Sequence, residues 1–158
     1  MDLTPKRAAD SATEMVQVVL PNDANPLGFI LGGTVMHLID IAGAIACHRH
    51  SRTLLVTAAV DDLQFLHSIK VGDLIILKAQ VTCAFTTSLE VRVDVFSEET
   101  LTGTRQMTST AFLTFVAIDR AGAKVRVPAL LAETDEERHV CEEARSRREL
   151  RLKKRKYL

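Results

Sequence analysis

The longest stretch of helically spaced apolar positions in this chain covers residues 33–50. Apolar side chains surround the axis of the predicted helix and leave no polar face wide enough for a surface helix; they are Val35, Met36, Leu38, Ile39, Ile41, Ala42, Ala44, Ile45 and Ala46. Asp40 is the single acid in this stretch. A buried carboxylate is costly unless it is paired or hydrogen-bonded. The pattern therefore predicts a buried helix in which Asp40 has a partner or a chemical role.

From Leu54 onward the spacing of apolar positions changes from helical to alternating, which indicates strands. Four segments rich in β-branched residues and bounded by turn residues follow: LLVTAAVDDLQFL, DLIILKAQVTCAF, SLEVRVDVFSEE and RQMTSTAFLTFVAID. The third alternates Leu or Val with Glu90, Arg92 and Asp94, so we expect one face of this strand to be buried and the other to lie in water. The short glycine-containing links between the segments predict antiparallel neighbours.

A short apolar segment, MVQVVLP, precedes the helix and is typical of a strand that ends at Pro21, which has no N–H for the ladder. The predicted order is one strand, one helix and four strands. An antiparallel sheet with one apolar face and a helix apolar on all sides are both buried when the sheet curls around the helix. This predicts the α+β class, with a folded domain over residues 15–133, a flexible N-terminal segment over 1–14 and a charged C-terminal helix or tail over 134–158.

The C-terminal stretch TDEERHVCEEARSRRELRLKKRK indicates a second helix. Thr134 and Glu137 form a capping-box pattern, and the acids come early and the bases late, in agreement with the helix dipole. Few of its residues are apolar, so we expect it to lie on the surface. The bases in residues 147–156 form either a solvated charged face or part of a binding site for phosphate groups.

Composition narrows the classes of function. The formal net charge is +0 and aromatic residues make up 4% of the chain, so we expect no nucleic-acid partner. No apolar run approaches the roughly 20 residues that span a bilayer, so we expect no membrane partner. Cys47, Cys83 and Cys141 form no C-x-x-C pair, which argues against disulfides and against a zinc site. The expected compartment is a reducing cytoplasm, and the expected site holds no metal.

Three segments together indicate a family: PNDANPLGFILGGTVMHLID, VTAAVDDLQFLHSIKVGD and TSTAFLTFVAIDRAGAKVRVP. They resemble hotdog-fold acyl-CoA thioesterases, in the acyl-CoA hydrolase branch that includes the brain acyl-CoA hydrolase and bacterial single-domain relatives. The resemblance implies a hotdog fold, in which an antiparallel sheet wraps around a long central helix. It also implies hydrolysis of acyl-CoA to free fatty acid and coenzyme A, without a cofactor. The implied assembly is a homodimer, and the family commonly forms hexamers as trimers of dimers.

The resemblance also implies roles for four residues near the start of the helix. Asp40 matches the catalytic aspartate, which acts either as a general base on water or as a nucleophile that forms a mixed anhydride. Asn25 matches an asparagine that completes the site from the facing subunit. Gly32 and Gly33 match the glycines that begin the helix, where unpaired N–H groups are suited to hold the thioester carbonyl oxygen.

Coenzyme A carries a pyrophosphate and a 3′-phosphate, so its binding site needs cations and hydroxyl groups. The candidates are Thr87 and Ser88 at the start of a predicted strand, and Lys124 and Arg126 in the segment GAKVRVP. Ser88 also matches a serine of the family.

Two other functions use the same fold. The first is a non-catalytic sensor that binds acyl-CoA without cleaving it. The second is a hotdog enoyl-CoA hydratase or dehydratase, which uses an aspartate and a histidine, and His37 stands three residues before Asp40. A Ser-His-Asp hydrolase is disfavoured because the chain contains no G-x-S-x-G motif.

Overall fold

The alternating segments of the chain form strands and the two helical patterns form helices. The computed structural model describes residues 1–157. Its elements are, in chain order, β1 (Lys6–Arg7), β2 (Thr13–Val18), α1 (Gly32–Ser51), β3 (Leu54–Phe65), β4 (Leu74–Ala84), β5 (Ser88–Glu98), β6 (Arg105–Ile118), β7 (Leu130–Leu131) and α2 (Asp135–Arg155). The predicted α+β class and the four long strands are confirmed.

Five strands form one antiparallel sheet in the order β2-β4-β5-β6-β3, and β1 pairs with β7 in a separate two-stranded sheet. The prediction that all consecutive strands are neighbours is wrong for β3 and β4, because β3 pairs with β6 at the far edge of the sheet. The link over residues 66–73 crosses between them and is held by the loop before α1. There Ile30 N–H donates to Ile69 O at 2.8 Å, and Val71 N–H donates to Gly28 O at 3.0 Å.

Helix α1 packs on the inner face of the sheet. The predicted apolar side of β5 is confirmed: Leu89, Val91, Val93 and Val95 are all 0% exposed. A Cβ on Gly43 would lie 3.1 Å from both Phe115 and Val91, so glycine lets the helix approach the sheet closely here. The prediction that α1 is buried on all sides is wrong for the single chain. One sheet covers only part of its circumference, and Met36 on the opposite side is 46% exposed.

Helix α2 lies against the outer face of the sheet. The prediction that Glu90, Arg92 and Asp94 face water is wrong for Glu90, which is 1% exposed. The Arg147 guanidinium of α2 forms a bidentate pair with the Glu90 carboxylate, in which Nε donates at 3.0 Å and Nη2 at 2.9 Å. Burial lowers the pKa of Arg147, but the hydrogen bonds and charge of Glu90 outweigh it, and the pKa rises above its usual value. A helix that reads as a surface helix thus supplies the cation that a buried acid requires.

The predicted cap of α2 is confirmed, because Glu137 N–H donates to the Thr134 hydroxyl at 3.1 Å. The expectation of no disulfide is wrong: Cys83 of β4 and Cys141 of α2 are bonded, with their Cα atoms 4.8 Å apart. They are separated by 58 residues, so no local motif could signal the pair. Cys47 is a buried thiol, and burial raises its pKa.

The N-terminal segment predicted as flexible, residues 1–14, includes β1 and the first residues of β2. Its Ser11 is buried, and the Ser11 hydroxyl accepts a hydrogen bond from Val81 N–H at 2.9 Å. Within residues 1–157, neither helix has the length and hydropathy that a bilayer crossing requires.

Candidate active site

Asp40 lies on α1 where the helix faces the edge strand β3. The Thr57 hydroxyl on β3 donates a hydrogen bond to Asp40 Oδ1 at 2.6 Å. The other carboxylate oxygen accepts no hydrogen bond from the described residues 1–157. The expectation of a fully buried carboxylate is wrong for the single chain, where Asp40 is only half-buried. The reason is that β3 is an edge strand: among the described residues no strand pairs with its outer edge, so the space beside Asp40 stays open.

Thr57 is the site residue that the sequence did not reveal. It pairs with Phe115 of β6, which in turn pairs with the buried Leu89 of β5, so all three side chains belong to the row that faces α1. A hydroxyl on the helix-facing side of a strand, opposite the single acid of that helix, predicts a hydrogen bond to the acid. It could be read only once the register of β3 was known, because a shift of one residue would turn Thr57 outward.

The N-terminus of α1 presents unpaired backbone donors. Val35 N–H makes the first bond of the helix, to Leu31 O at 3.1 Å. Within residues 1–157 the N–H groups of Gly32, Gly33 and Thr34 have no acceptor, and Leu31 provides no side-chain cap. A Cβ on Gly33 would meet no atom within 4 Å. These donors therefore face free space, at the positive end of the helix dipole.

Asn25 lies in the loop that leads to α1. Its side-chain Oδ1 accepts hydrogen bonds from Leu27 N–H at 3.0 Å and from Phe29 N–H at 3.2 Å. The loop is thus shaped by this side chain. Its amide nitrogen donates no hydrogen bond to any described residue, and the structure does not bring it into contact with Asp40 of the same chain. The amide oxygen of Asn25 is therefore held by the loop, whereas its amide nitrogen is free to donate.

The four candidates for coenzyme A binding lie together at one corner of the sheet. Thr87 and Ser88 form the turn into β5, and Lys124 and Arg126 lie in the segment after β6. Backbone hydrogen bonds join these pieces: Ala117 N to Thr87 O at 2.9 Å, Val125 N to Ala117 O at 3.0 Å and Val127 N to Thr86 O at 3.1 Å. Lys124 and Arg126 are exposed, and neither forms an ion pair within residues 1–157.

This corner and Asp40 belong to opposite faces of one chain. Leu89 shares the inward row with Thr57, so the adjacent Ser88 points to the outer face of the sheet. His37, the residue that a hydratase would use, is exposed on α1 and makes no hydrogen bond to Asp40 in the described structure.

One cavity among the described residues lies away from these candidates. It has a volume of about 740 Å³ and lies between the start of α2 and strands β2, β4 and β5, where its lining includes Lys78, Arg92 and Glu137. Neither Asp40 nor Asn25 lines it. The space around Asp40 is open on the side of the edge strand β3.

Comparison with known proteins places the chain among thioesterases. The profile of the thioesterase superfamily matches residues 27–104. A Bacillus subtilis protein named uncharacterized acyl-CoA thioester hydrolase YkhA is 42% identical over 119 residues, which cover 75% of this chain and 69% of that protein. The human cytosolic acyl coenzyme A thioester hydrolase is 31% identical over 145 residues, which cover 90% of this chain and 38% of that protein.

Solved structures show the same fold. An apo-hexameric acyl-CoA thioesterase has a TM-score of 0.90 and 39% identity, and the match covers 96% of this chain and 97% of that one. An acyl-CoA hydrolase from Staphylococcus aureus, in complex with butyryl coenzyme A, coenzyme A and coenzyme A disulfide, has a TM-score of 0.86 and 33% identity. That match covers 95% of this chain and 92% of the S. aureus chain.

The S. aureus hydrolase has also been solved as single alanine variants of an asparagine, an aspartate and a threonine. These three residues follow one another at intervals of 15 and 17 positions. Asn25, Asp40 and Thr57 follow one another at the same two intervals.

Proposed function

The chain belongs to the acyl-CoA hydrolase branch of the thioesterase superfamily, and we propose that it hydrolyses acyl-CoA to free fatty acid and coenzyme A. The observation that carries this proposal is the Asp40 carboxylate, which accepts a hydrogen bond from the Thr57 hydroxyl and keeps its other oxygen free, on a helix whose N-terminus has no side-chain cap. The reaction needs a carboxylate, an amide, backbone donors and water. Coenzyme A enters as part of the substrate and leaves as product.

Asp40 acts on the thioester carbon by one of two routes. As a base it takes a proton from water, the water oxygen bonds to the carbonyl carbon, the C–S bond breaks and the sulfur leaves as a thiolate that takes up a proton. As a nucleophile it bonds to the carbonyl carbon itself, the C–S bond breaks and coenzyme A leaves as a thiolate that takes up a proton; water then hydrolyses the mixed anhydride to the fatty acid and the free carboxylate. In both routes the Thr57 hydroxyl holds Oδ1 and leaves the other oxygen to react.

The carbonyl oxygen gains negative charge in either route and needs donors. The free N–H groups of Gly32 and Gly33 supply them; the space at Gly33 is open, and the Phe65 ring lies next to Gly32. Helix N-termini also carry a partial positive charge, which favours an oxyanion over the neutral carbonyl. Glycine here keeps the donors accessible to the substrate.

We propose that the second wall of the site comes from another copy of the chain. The edge strand β3 has unpaired backbone groups and exposed apolar side chains, namely Leu54 at 51%, Val56 at 44%, Val60 at 44% and Phe65 at 51%. Pairing two β3 edges would cover them and join two sheets into one. The free amide nitrogen of Asn25 would then reach Asp40 of the facing subunit. A trimer of such dimers would give the hexamer found in the related thioesterase.

The phosphates of coenzyme A are proposed to bind at the corner that holds Thr87, Ser88, Lys124 and Arg126, because it gathers unpaired cations and hydroxyls. Ser88 faces away from Asp40 in its own chain, so this corner would serve an active site formed with a neighbouring subunit. The human relative is named cytosolic, and we propose the cytoplasm for this chain as well. Cys83 and Cys141 would be thiols there in the reduced state.

The test is thiol release from acyl-CoAs of several chain lengths, followed with a free-thiol reagent. Release by the wild type and its loss in Asp40→Asn would support the proposal. Tight binding of acyl-CoA without release would overturn it in favour of a sensor. Hydration of an enoyl-CoA without thiol release would overturn it in favour of a hydratase that uses His37.

A further inference from the structure

Helix α2 crosses the outer face of the sheet from β4 to the edge strand. Cys141 is bonded to Cys83 on β4, and Arg147 binds Glu90 on β5. One turn further, the Arg151 guanidinium donates to Asp61 on β3 at 2.7 Å. The contacts thus follow the strand order, and the helix reaches the edge of the sheet at Arg151.

The residues after Arg151 extend beyond this edge. At about 1.5 Å per residue, the helical residues 152–155 add roughly 6 Å, which is a little more than one strand spacing of roughly 4.8 Å. This basic end contains Lys153, Lys154, Arg155 and Lys156, all of them exposed. None of the four forms an ion pair or a side-chain hydrogen bond within residues 1–157. A charged helix end therefore projects past β3 with no partner in its own described chain.

Asp62 is an acid of β3 that also lacks a partner. It follows Asp61 at a bulge and adopts a left-handed conformation, with φ of 54°. Its side chain is exposed and forms no ion pair or hydrogen bond within residues 1–157. It directly follows Asp61, whose carboxylate binds Arg151 of α2, so Asp62 lies on the stretch of β3 that the end of α2 reaches.

We propose that the basic end of α2 crosses the dimer axis and that Lys153 and Lys154 pair with the partner subunit's Asp62. This rests on the proposed β3-to-β3 dimer, in which the strand beyond each edge is the partner's β3. Asp61 is already neutralised by Arg151 of its own chain, so Asp62 is the acid left on that strand. Two-fold symmetry makes the contact occur twice.

The sharpest test is whether complementary charge reversals rescue each other between chains. One chain carries Asp62→Lys, and a second, mass-tagged chain carries Lys153→Glu with Lys154→Glu. Each homodimer then holds two like-charge contacts. The mixed dimer holds two attractive contacts, one between native residues and one between reversed residues. The chains are mixed, allowed to exchange and analysed by native mass spectrometry at low ionic strength.

Random mixing of equal amounts makes half of the dimers mixed, and we expect the ratio of mixed dimers to homodimers to rise about fivefold above that, a size that a few exposed ion pairs support. In a hexamer the same preference appears as an excess of species with equal numbers of both chains. The matched control replaces Asp62→Lys by Glu136→Lys, an exposed acid at the opposite end of α2, and should give random mixing.

Random mixing in the test pair would overturn the inference. If the chain with Lys153→Glu and Lys154→Glu then showed weaker binding of coenzyme A, the basic end would be assigned to the ligand's phosphates instead. Thiol release by each chain is measured separately. Absence of thiol release by the wild type would overturn the proposed function. Random mixing of chains that still hydrolyse acyl-CoA would overturn only this contact.

Discussion

Two carboxylates on opposite faces of the same sheet are held in different ways. Glu90 on the outer face is 1% exposed, and it accepts two hydrogen bonds from Arg147 and one from the Thr82 hydroxyl. Asp40 on the inner face is half-buried and accepts one hydrogen bond, from Thr57. The more deeply buried acid is thus the better satisfied one, and its charge is neutralised within the fold.

The difference shows that depth alone does not identify a reactive acid. A carboxylate that is fully hydrogen-bonded and paired has no oxygen left to attack or to take a proton. Asp40 keeps an oxygen free because only the Thr57 hydroxyl donates to it among the described residues, and the space beside it is open. The comparison predicts that Glu90 stabilises the fold and that Asp40 takes part in the reaction, and four experiments test this prediction.

The largest expected effect is on turnover. Asp40→Asn should lower kcat for thiol release by about a thousandfold, because the amide is a poor base and a poor nucleophile. The free energy of unfolding should change little. Glu90→Gln is the matched control and should keep kcat near the wild-type value under conditions where it is folded. Equal losses in the two variants would remove the distinction between the two faces.

The second experiment addresses stability. Glu90→Ala should lower the free energy of unfolding by about 3 kcal/mol, because it leaves the largely buried Arg147 without its counter-charge. Urea unfolding followed by circular dichroism measures this. The double variant Glu90→Leu with Arg147→Met should recover most of the loss, since no charge then remains unpaired. A loss below about 1 kcal/mol in the single variant would contradict the structural role of the pair.

The third experiment concerns the disulfide that joins α2 to the outer face. Reduction of Cys83–Cys141 should lower the free energy of unfolding by about 2 kcal/mol, because the unfolded chain gains freedom when a long loop opens. Urea unfolding with and without reductant measures the change, and Cys141→Ser should behave as the reduced wild type does. Hydrolysis should be unaffected, because Asp40 lies on the other face. Identical stability in both states would show that the ion pairs alone hold the helix.

The smallest effect is expected at the Asp40 hydrogen bond. Thr57→Ala should lower kcat by about tenfold, which corresponds to the loss of one hydrogen bond to a charged group. Thr57→Ser keeps the hydroxyl and should retain most of the activity. If serine were no better than alanine, packing of the methyl group rather than the hydrogen bond would explain the role of Thr57.

Elements whose signals are local were predicted well. The bounds of α1 differ by one residue at each end from the predicted 33–50, and the Thr134 cap of α2 stands where the capping pattern placed it. The neighbour of β3 was predicted wrongly, because link length does not say whether the chain turns back or crosses the sheet. The candidates Asn25, Gly32, Gly33 and Asp40 came from one short segment, whereas Thr57 needed the strand register.

By itself the sequence determined the class of fold, the ends of its elements and the acid at the centre of the candidate site, because periodicity, capping and an isolated charge act within a few residues. The tertiary structure alone decided which acids are neutralised and which one stays free. Thr57 reaches Asp40 across 17 residues, Arg147 reaches Glu90 across 57, and Arg151 reaches Asp61 across 90. Such contacts depend on which strands meet and which face a helix covers, and no local pattern of residues carries that information.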